Sequence, residues 1–386
     1  MKKLAVIAVL VVLALLVYAD RFLPAQIERG MNVNLPHEPY SISDAARALH
    51  ETLFVADLHT DSLLWKRDLR KRAEHGHMDL PRMRDGNIAL QVFSATTKSP
   101  AGQNYERNED ASDRITLLAI AQFWPPRTWT SIYERAVYQL DKLKDLAATG
   151  EVVLLLDRND VRELAARRQR GEKVIGAVYL TEGGHPFEGD IAKVDALFEE
   201  GLRITGLTHF FDNELGGSLH GISGDGLTEF GRAVVRRADE LGLILDVAHA
   251  SPRMVAEVLE LSDRPVVLSH GGIKGVCDTA RNLSDELMRD VAAHGGLVGI
   301  GFWDAAVCDV TPDGVVAAIR YAIDLLGEEH VALGSDYDGS TAVTFDASEL
   351  AVLTDAMLRA GFTEQEIRLV MGENIRRFLL ENLPEG

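Results

Sequence analysis

From residue 53 onward, short and nearly continuous apolar runs alternate with longer segments of helical periodicity. The runs are LFVADLH (53–59), IALQVFSA (88–95), VIGAVYLTE (174–182) and ITGLTHF (204–210). Four more follow: LILDVAH (243–249), VVLSH (266–270), GLVGIGF (296–302) and VALGSD (331–336). Rich in Val, Ile and Leu, they read as strands buried on both faces. Strands alternating with helices predict parallel βαβ units, and eight of them predict a (β/α)8 TIM barrel. VVLLL (152–156) is a ninth run, expected as an accessory strand outside the barrel. An open doubly wound sheet would carry a Gly-rich phosphate turn after its first strand. Here the first run ends in His59 and Asp61 instead, which favours the barrel.

The helices announce their ends. Thr311-Pro312 offers an N-cap and a first-turn proline, and Gly327 a stop. Val315, Ile319, Ala322 and Leu326 form one apolar stripe between them. Thr363 and Glu366 make a capping-box pattern before IRLVMGENIRRFL. A first helix is expected near Ser43. The polar stretch KSPAGQNYERNED (98–110) follows the second strand and should hang over the face where the strands end.

The N-terminus has a different pattern. Met1-Lys2-Lys3 precedes LAVIAVLVVLALLVYA, a basic start and an unbroken apolar run that read as an export signal or a membrane anchor. Val17-Tyr18-Ala19 suits cleavage after Ala19. An uncleaved anchor through residues 4–19 also fits, although the run is shorter than the ~20 residues of a comfortable span. Either way the rest of the chain is placed outside the cytoplasm, periplasmic or membrane-anchored. The expected organisation is a signal or anchor over 1–19, a tether over 20–48 with three prolines, and one barrel domain over 49–386.

Composition narrows the partners. Among 386 residues, Lys and Arg number 40 and Asp and Glu 59, a formal charge of −19. Nucleic-acid affinity comes mainly from phosphate neutralisation, so no nucleic-acid partner is expected. Cys277 and Cys308 are too few for a thiolate zinc site. Their spacing does not imply a disulfide, and they read as two buried small apolar residues. The sequence leaves room for a homodimer without indicating one.

The chemistry lies at the run ends. His59 and Asp61 in VADLHTD, Glu182 in YLTEGG, His249 in LDVAH and His270 in VVLSH are the residue types that bind divalent cations. In a parallel barrel the carboxyl ends of all strands converge on one face. His59 and Asp61 are two apart, so their side chains leave on the same side. Glu182 ends an apolar run, and a carboxylate there needs a partner; its two oxygens can bridge two cations. Gly183 and Gly184 keep side chains out of the way. Nitrogen and oxygen ligands suit zinc, with manganese, iron or cobalt also permitted. Cations with open positions activate water and polarise a carbonyl, so the expected chemistry is hydrolysis. Asp336 in GSDYDG is the candidate proton shuttle, with Asp338 its rival. His209 in GLTHFF is a candidate oxyanion stabiliser and substrate contact. Arg281 in TARNLSDE could grip a substrate carboxylate.

With these residues in place, the chain resembles the membrane (renal-type) dipeptidase family, a zinc peptidase branch of the amidohydrolase-like barrels. The motifs DLHTDSL, TEGGHPF, LTHFFDN, DVAHAS, LSHGG, ARNLSDE, GSDYDG and GENIRRF carry the likeness, from about Glu51 to Leu383. The resemblance implies two zinc ions per chain. His59, Asp61 and Glu182 would hold one, Glu182, His249 and His270 the other, and Glu182 would bridge. It also implies that His209 steadies the oxyanion, Arg281 grips the substrate's carboxylate and Asp336 moves the proton. His185 and Asn213 match family positions beside the site. The implied activity is hydrolysis of dipeptides, including those with a D-residue on the carboxyl side, by a metal-bridging hydroxide. The alternative is another amidohydrolase-type reaction on the same barrel: lactone or cyclic-amide opening, or deamination. The mammalian members' disulfides and lipid anchor are expected to be missing here.

Overall fold

The computed structural model describes residues 22–386 together with Lys3, Ile7 and Tyr18. The expected export run therefore lies, Ile7 and Tyr18 apart, outside the described residues. Among the described residues no helix is long and apolar enough to cross a membrane.

Eight strands form one parallel sheet: β1 (Val55–Thr60), β2 (Ile88–Thr96), β3 (Ile175–Glu182), β4 (Leu202–Gly206), β5 (Ile244–Asp246), β6 (Val267–Gly271), β7 (Leu297–Ile300) and β8 (Val331–Leu333). Neighbours in sequence are neighbours in space from β1 round to β8. The seam between β8 and β1 closes through a parallel bridge of Thr60 with Tyr337. Asp57 fastens it, accepting from Ser335 N and Ser335 Oγ, both at 2.7 Å. Val152–Leu154 pairs with the start of β3 off the main path, an accessory strand as its sequence suggested.

The sheet is mostly apolar because both faces are covered. One cluster joins the strands to the surrounding helices. A second takes residues from all eight strands, among them Leu58, Leu90, Val178, Ile204, Ile244, Val267, Leu297 and Ala332. No outer helix can touch all eight strands, so this cluster is the barrel interior. Ile375, Phe378 and Leu379 of the helix Asn374–Asn382 join it and plug the end where the strands begin. The approach is close: a Cβ on Gly372 would lie 1.9 Å from Phe54 O.

The cap signals hold. Ser43, Thr311 and Thr363 each accept a backbone N–H at a helix start, and the Thr363–Glu366 capping box forms. Two segments differ from expectation. Residues 20–48 read as a tether, yet Leu23–Met31 is a helix and Val33–Asn34 pairs in parallel with Ala342–Val343. Pro24, which suggested irregular chain, sits in the helix's first turn, where no N–H is required. The two cysteines are not separate apolar residues: Cys277 and Cys308 form a disulfide across a separation of 31 residues. Spacing could not reveal it, because proximity comes from β6 and β7 lying side by side. Closing a loop of that length contributes about 3–4 kcal/mol in the chain-entropy account.

Candidate metal centre and its pocket

Five strand ends and the turns beyond them build one cluster. His59 lies in β1 and Asp61 just past it, Glu182 ends β3, and His270 lies in β6. The sequence runs 243–249 and 331–336 proved longer than their strands. His249 and Asp336 sit three residues past β5 and β8, at φ of 62° and 58°. Left-handed backbone is uncommon for such residues and costs on the order of 1–3 kcal/mol. Neighbours hold it: Leu219 N donates to His249 O at 2.7 Å, and Thr341 Oγ1 to Asp336 O at 2.9 Å.

The centre of the cluster is Glu182. Its Oε1 lies 3.3 Å from His249 Nε2, 3.4 Å from His270 Nε2 and 3.6 Å from His59 Nε2. His59 Nε2 is also 3.7 Å from Asp61 Oδ2 and 3.9 Å from Asp336 Oδ1. All of these side chains are buried. Two ligands of a tetrahedral zinc, each at about 2.0–2.1 Å, stand roughly 3.3 Å apart. The observed spacings match that figure better than a hydrogen-bond length.

Proton positions follow from the network. Ser269 Oγ donates to Asp246 Oδ2 at 2.5 Å, so it must accept from the Nδ1–H of His270 at 2.9 Å. His270 Nε2 is then a bare lone pair facing a carboxylate oxygen. His249 Nε2 lies 2.9 Å from His270 Nε2, and His59 Nε2 has no hydrogen-bond partner. Thr96 Oγ1 stands 2.7 Å from Glu182 Oε2 and 3.0 Å from Asp61 Oδ1, and its single proton serves one of them. Lone pairs turned on one another in a buried space fit a cation. Three overlapping sets have ligand atoms close enough to share an ion: His59, Asp61 and Glu182; Glu182, His209 and His249; His59, His270 and Asp336.

Titration agrees. Burial pushes the His59 imidazolium down, but Asp61, Glu182 and Asp336 overcome it and raise its pKa to about 10. Burial raises the Asp336 carboxyl well above the usual range, and the charges of Asp61 and Glu182 add to that. Glu182 goes the other way: burial raises it, but His209, His59 and the Thr96 hydrogen bond bring it below its ordinary value. A cluster this rich in carboxylate holds a proton where it would otherwise hold a cation.

The remaining candidates fall around this centre. His209 Nε2 is 3.3 Å from Glu182 Oε2. Arg281, 2% exposed, donates to His270 O at 2.8 Å and stacks over Trp303, while its Nε has no partner. Asp338 is occupied elsewhere: it accepts from Ser62 Oγ at 2.7 Å and His77 N at 2.6 Å and pairs with Arg67. Asp336, not Asp338, lines the cavity. Asn213 braces its own loop, donating to Leu207 O and accepting from Leu215 N. His185 packs on Phe211 beside a second cavity, its pKa pushed to about 3 by burial and by the nearby His209 and Lys98. Neither joins the groups around Glu182. A Cβ on Gly183 (φ 87°) would lie 2.5 Å from the His185 ring, so this glycine is required.

Sequence reading missed several parts. Thr96 fell one residue beyond its apolar run. Asp246 and Ser269 were visible as polar residues inside apolar runs, the signal that could have found them. The loop 98–110 does cross the mouth: Tyr105 OH accepts from Trp303 Nε1 at 2.9 Å. The cavity beneath has a volume of 640 Å³ and reaches Glu182, His209, Arg281 and Asp336. Ile27 and Met31 of the N-terminal helix also line it.

Known proteins share this fold. Residues 43–382 match the family described as membrane dipeptidase (peptidase family M19). Rat dipeptidase 3 (Rattus norvegicus) is 28% identical over 336 residues, covering 78% of this chain and 63% of the rat protein. This chain thus spans under two thirds of that relative's length. A Rhodobacter sphaeroides metallopeptidase, solved with a phosphinate mimic of the dipeptide L-Ala-D-Ala, is 25% identical with a TM-score of 0.68. The alignment covers 86% of this chain and 100% of that one. The dipeptidase AC of family M19 is 26% identical with a TM-score of 0.67, over 86% and 99% of the two chains. On the match over most of its length, the chain belongs to the membrane dipeptidase family.

Proposed function

We propose that this protein is an exported zinc dipeptidase whose catalytic unit is the barrel over residues 49–386. The observation that carries the reading is Glu182 Oε1 between three buried imidazole nitrogens, at 3.3, 3.4 and 3.6 Å. His59, Asp61 and Glu182 would hold one zinc ion, and Glu182, His249 and His270 a second. Bound there, such ions supply Lewis acidity, making water more acidic and polarising the carbonyl under attack.

The chain's own groups do the rest. Arg281 binds the substrate's terminal carboxylate through its free Nε edge. That contact sets the scissile bond over Glu182 and limits the length accepted. Asp336 takes the proton of the attacking water and delivers it to the leaving amine. His209 donates from Nε2 to the oxyanion as it forms. Tyr105 and Trp303 close the mouth and keep bulk water out. A relative binds a mimic of L-Ala-D-Ala, which supports acceptance of a D-residue on the carboxyl side.

Export is supported by the apolar run at 4–19 and by the disulfide, since disulfides persist mainly outside the cytosol. Residues 4–19 would attach an uncleaved chain to the membrane. The test is a dipeptide panel with zinc added and removed, run beside Arg281→Ala. Chelation should abolish turnover and zinc restore it. Arg281→Ala should lower kcat/KM by about tenfold or more with zinc content unchanged. Zinc loss in step with activity would contradict the role given to Arg281.

A further inference from the structure

The cavity has two unlike sides. Arg281 follows β6 and Trp303 follows β7. In a ring of eight, the strand opposite β6 is β2, and the helix Arg114–Ala121 follows β2. Ile115 and Leu118 of that helix meet Leu64, which follows β1, and Ile27 and Met31 of the N-terminal helix. These five residues form an apolar cluster that lines the cavity across from Arg281.

The helix Leu23–Met31 lies before residue 43, where the family match begins. It is firmly placed. Glu28 is 2% exposed and pairs with Arg67 at 2.6 Å and His75 at 3.2 Å. Arg67 in turn pairs with Asp338. Asn32 Oδ1 accepts from Ser340 N at 2.9 Å, and the strand pair with 342–343 follows. A buried carboxylate is tolerated only when paired so well, which fixes the helix in one seat.

We infer that this wall selects dipeptides whose amino-side residue carries a large apolar side chain, aromatic or long aliphatic. The inference rests on the dipeptidase reading and on Arg281 as the carboxylate anchor. With the carboxylate at Arg281 and the scissile bond over Glu182, the amino-side residue extends toward the opposite wall. A cavity of 640 Å³ falls in the range that encloses drug-sized ligands, about 300–1,000 Å³. Two small residues leave its apolar half unfilled.

The test gives the zinc-loaded full-length chain four dipeptides that share one carboxyl-side residue and begin with Phe, Leu, Ala or Gly. The kcat/KM for Phe and Leu should exceed that for Gly by roughly 10–100-fold. Ile27→Asp and Met31→Asp, both at half-buried positions, should bring that ratio close to one. Leu118→Ala, milder toward folding, should lower it part of the way. Equal kcat/KM across the four substrates, or a ratio unmoved in all three variants, overturns the inference and leaves the dipeptidase reading standing. Hydrolysis of none of the four overturns both.

Discussion

The two ends of the barrel are made by the same eight strands and obey opposite rules. Where the strands begin, Phe378, Leu379 and Ile375 seal an apolar cluster drawn from all eight strands. Where they end, three imidazoles and three carboxylates share one buried space. The first end gains from every apolar contact. The second would be destabilising if left as it stands, because lone pairs and charges face each other there. A chain tolerates such an end when something else neutralises it, and the ligand geometry names a cation.

Breaking the polar end should cost function before stability. Glu182→Gln keeps the shape and removes the charge that three imidazoles share. It is expected to lower kcat by at least about 10²–10³-fold and to reduce bound zinc, read by metal analysis of the purified protein. Full zinc content with full activity would remove Glu182 from the centre.

Breaking the apolar end should do the reverse. Phe378→Ala is expected to destabilise the fold by about 3–5 kcal/mol, measured by denaturant unfolding, while the folded fraction keeps its zinc and its kcat. A loss of zinc without a loss of stability would mean that the two ends are not separable.

Between them lies the hydrogen-bonded layer that aims His270. Ser269→Ala frees the His270 tautomer by removing the link to Asp246. Zinc affinity should fall by about 10–100-fold, seen by competition with a chelator, with little change in unfolding.

A pH-dependent effect concerns the N-terminal side of the mouth. Lys142 donates to Trp65 O at 2.6 Å, and burial pushes its pKa to about 7; Glu28 opposes this and Arg67 adds to it. Its folded pKa lies below its unfolded value, so between about pH 7 and 10.4 the unfolded chain binds the extra proton. Stability should therefore rise with pH across that window, and Lys142→Met should flatten the rise. An unchanged pH dependence of unfolding in Lys142→Met would refute the assignment.

The same contrast explains what the sequence made legible. Apolar runs and caps report local preference, so eight strands and their order could be read before any coordinates. His59, Asp61, Glu182 and His270 were readable because each ends such a run. His249 and Asp336 were readable as types, but their left-handed turns past the strand ends were not. Arg67, Glu28 and Asp338 find each other only in three dimensions, so the helix at 23–31 looked like a tether. The disulfide stayed hidden for the same reason: its Cα atoms are 5.5 Å apart and its residues 31 apart.

Anomalous diffraction from crystals grown with zinc tests the central claim most directly. Two peaks should appear on either side of Glu182, each about 2.0–2.2 Å from a carboxylate oxygen, one beside His59 and Asp61 and the other beside His249 and His270. Zinc bound elsewhere, or no zinc within coordination distance of Glu182, would contradict the account.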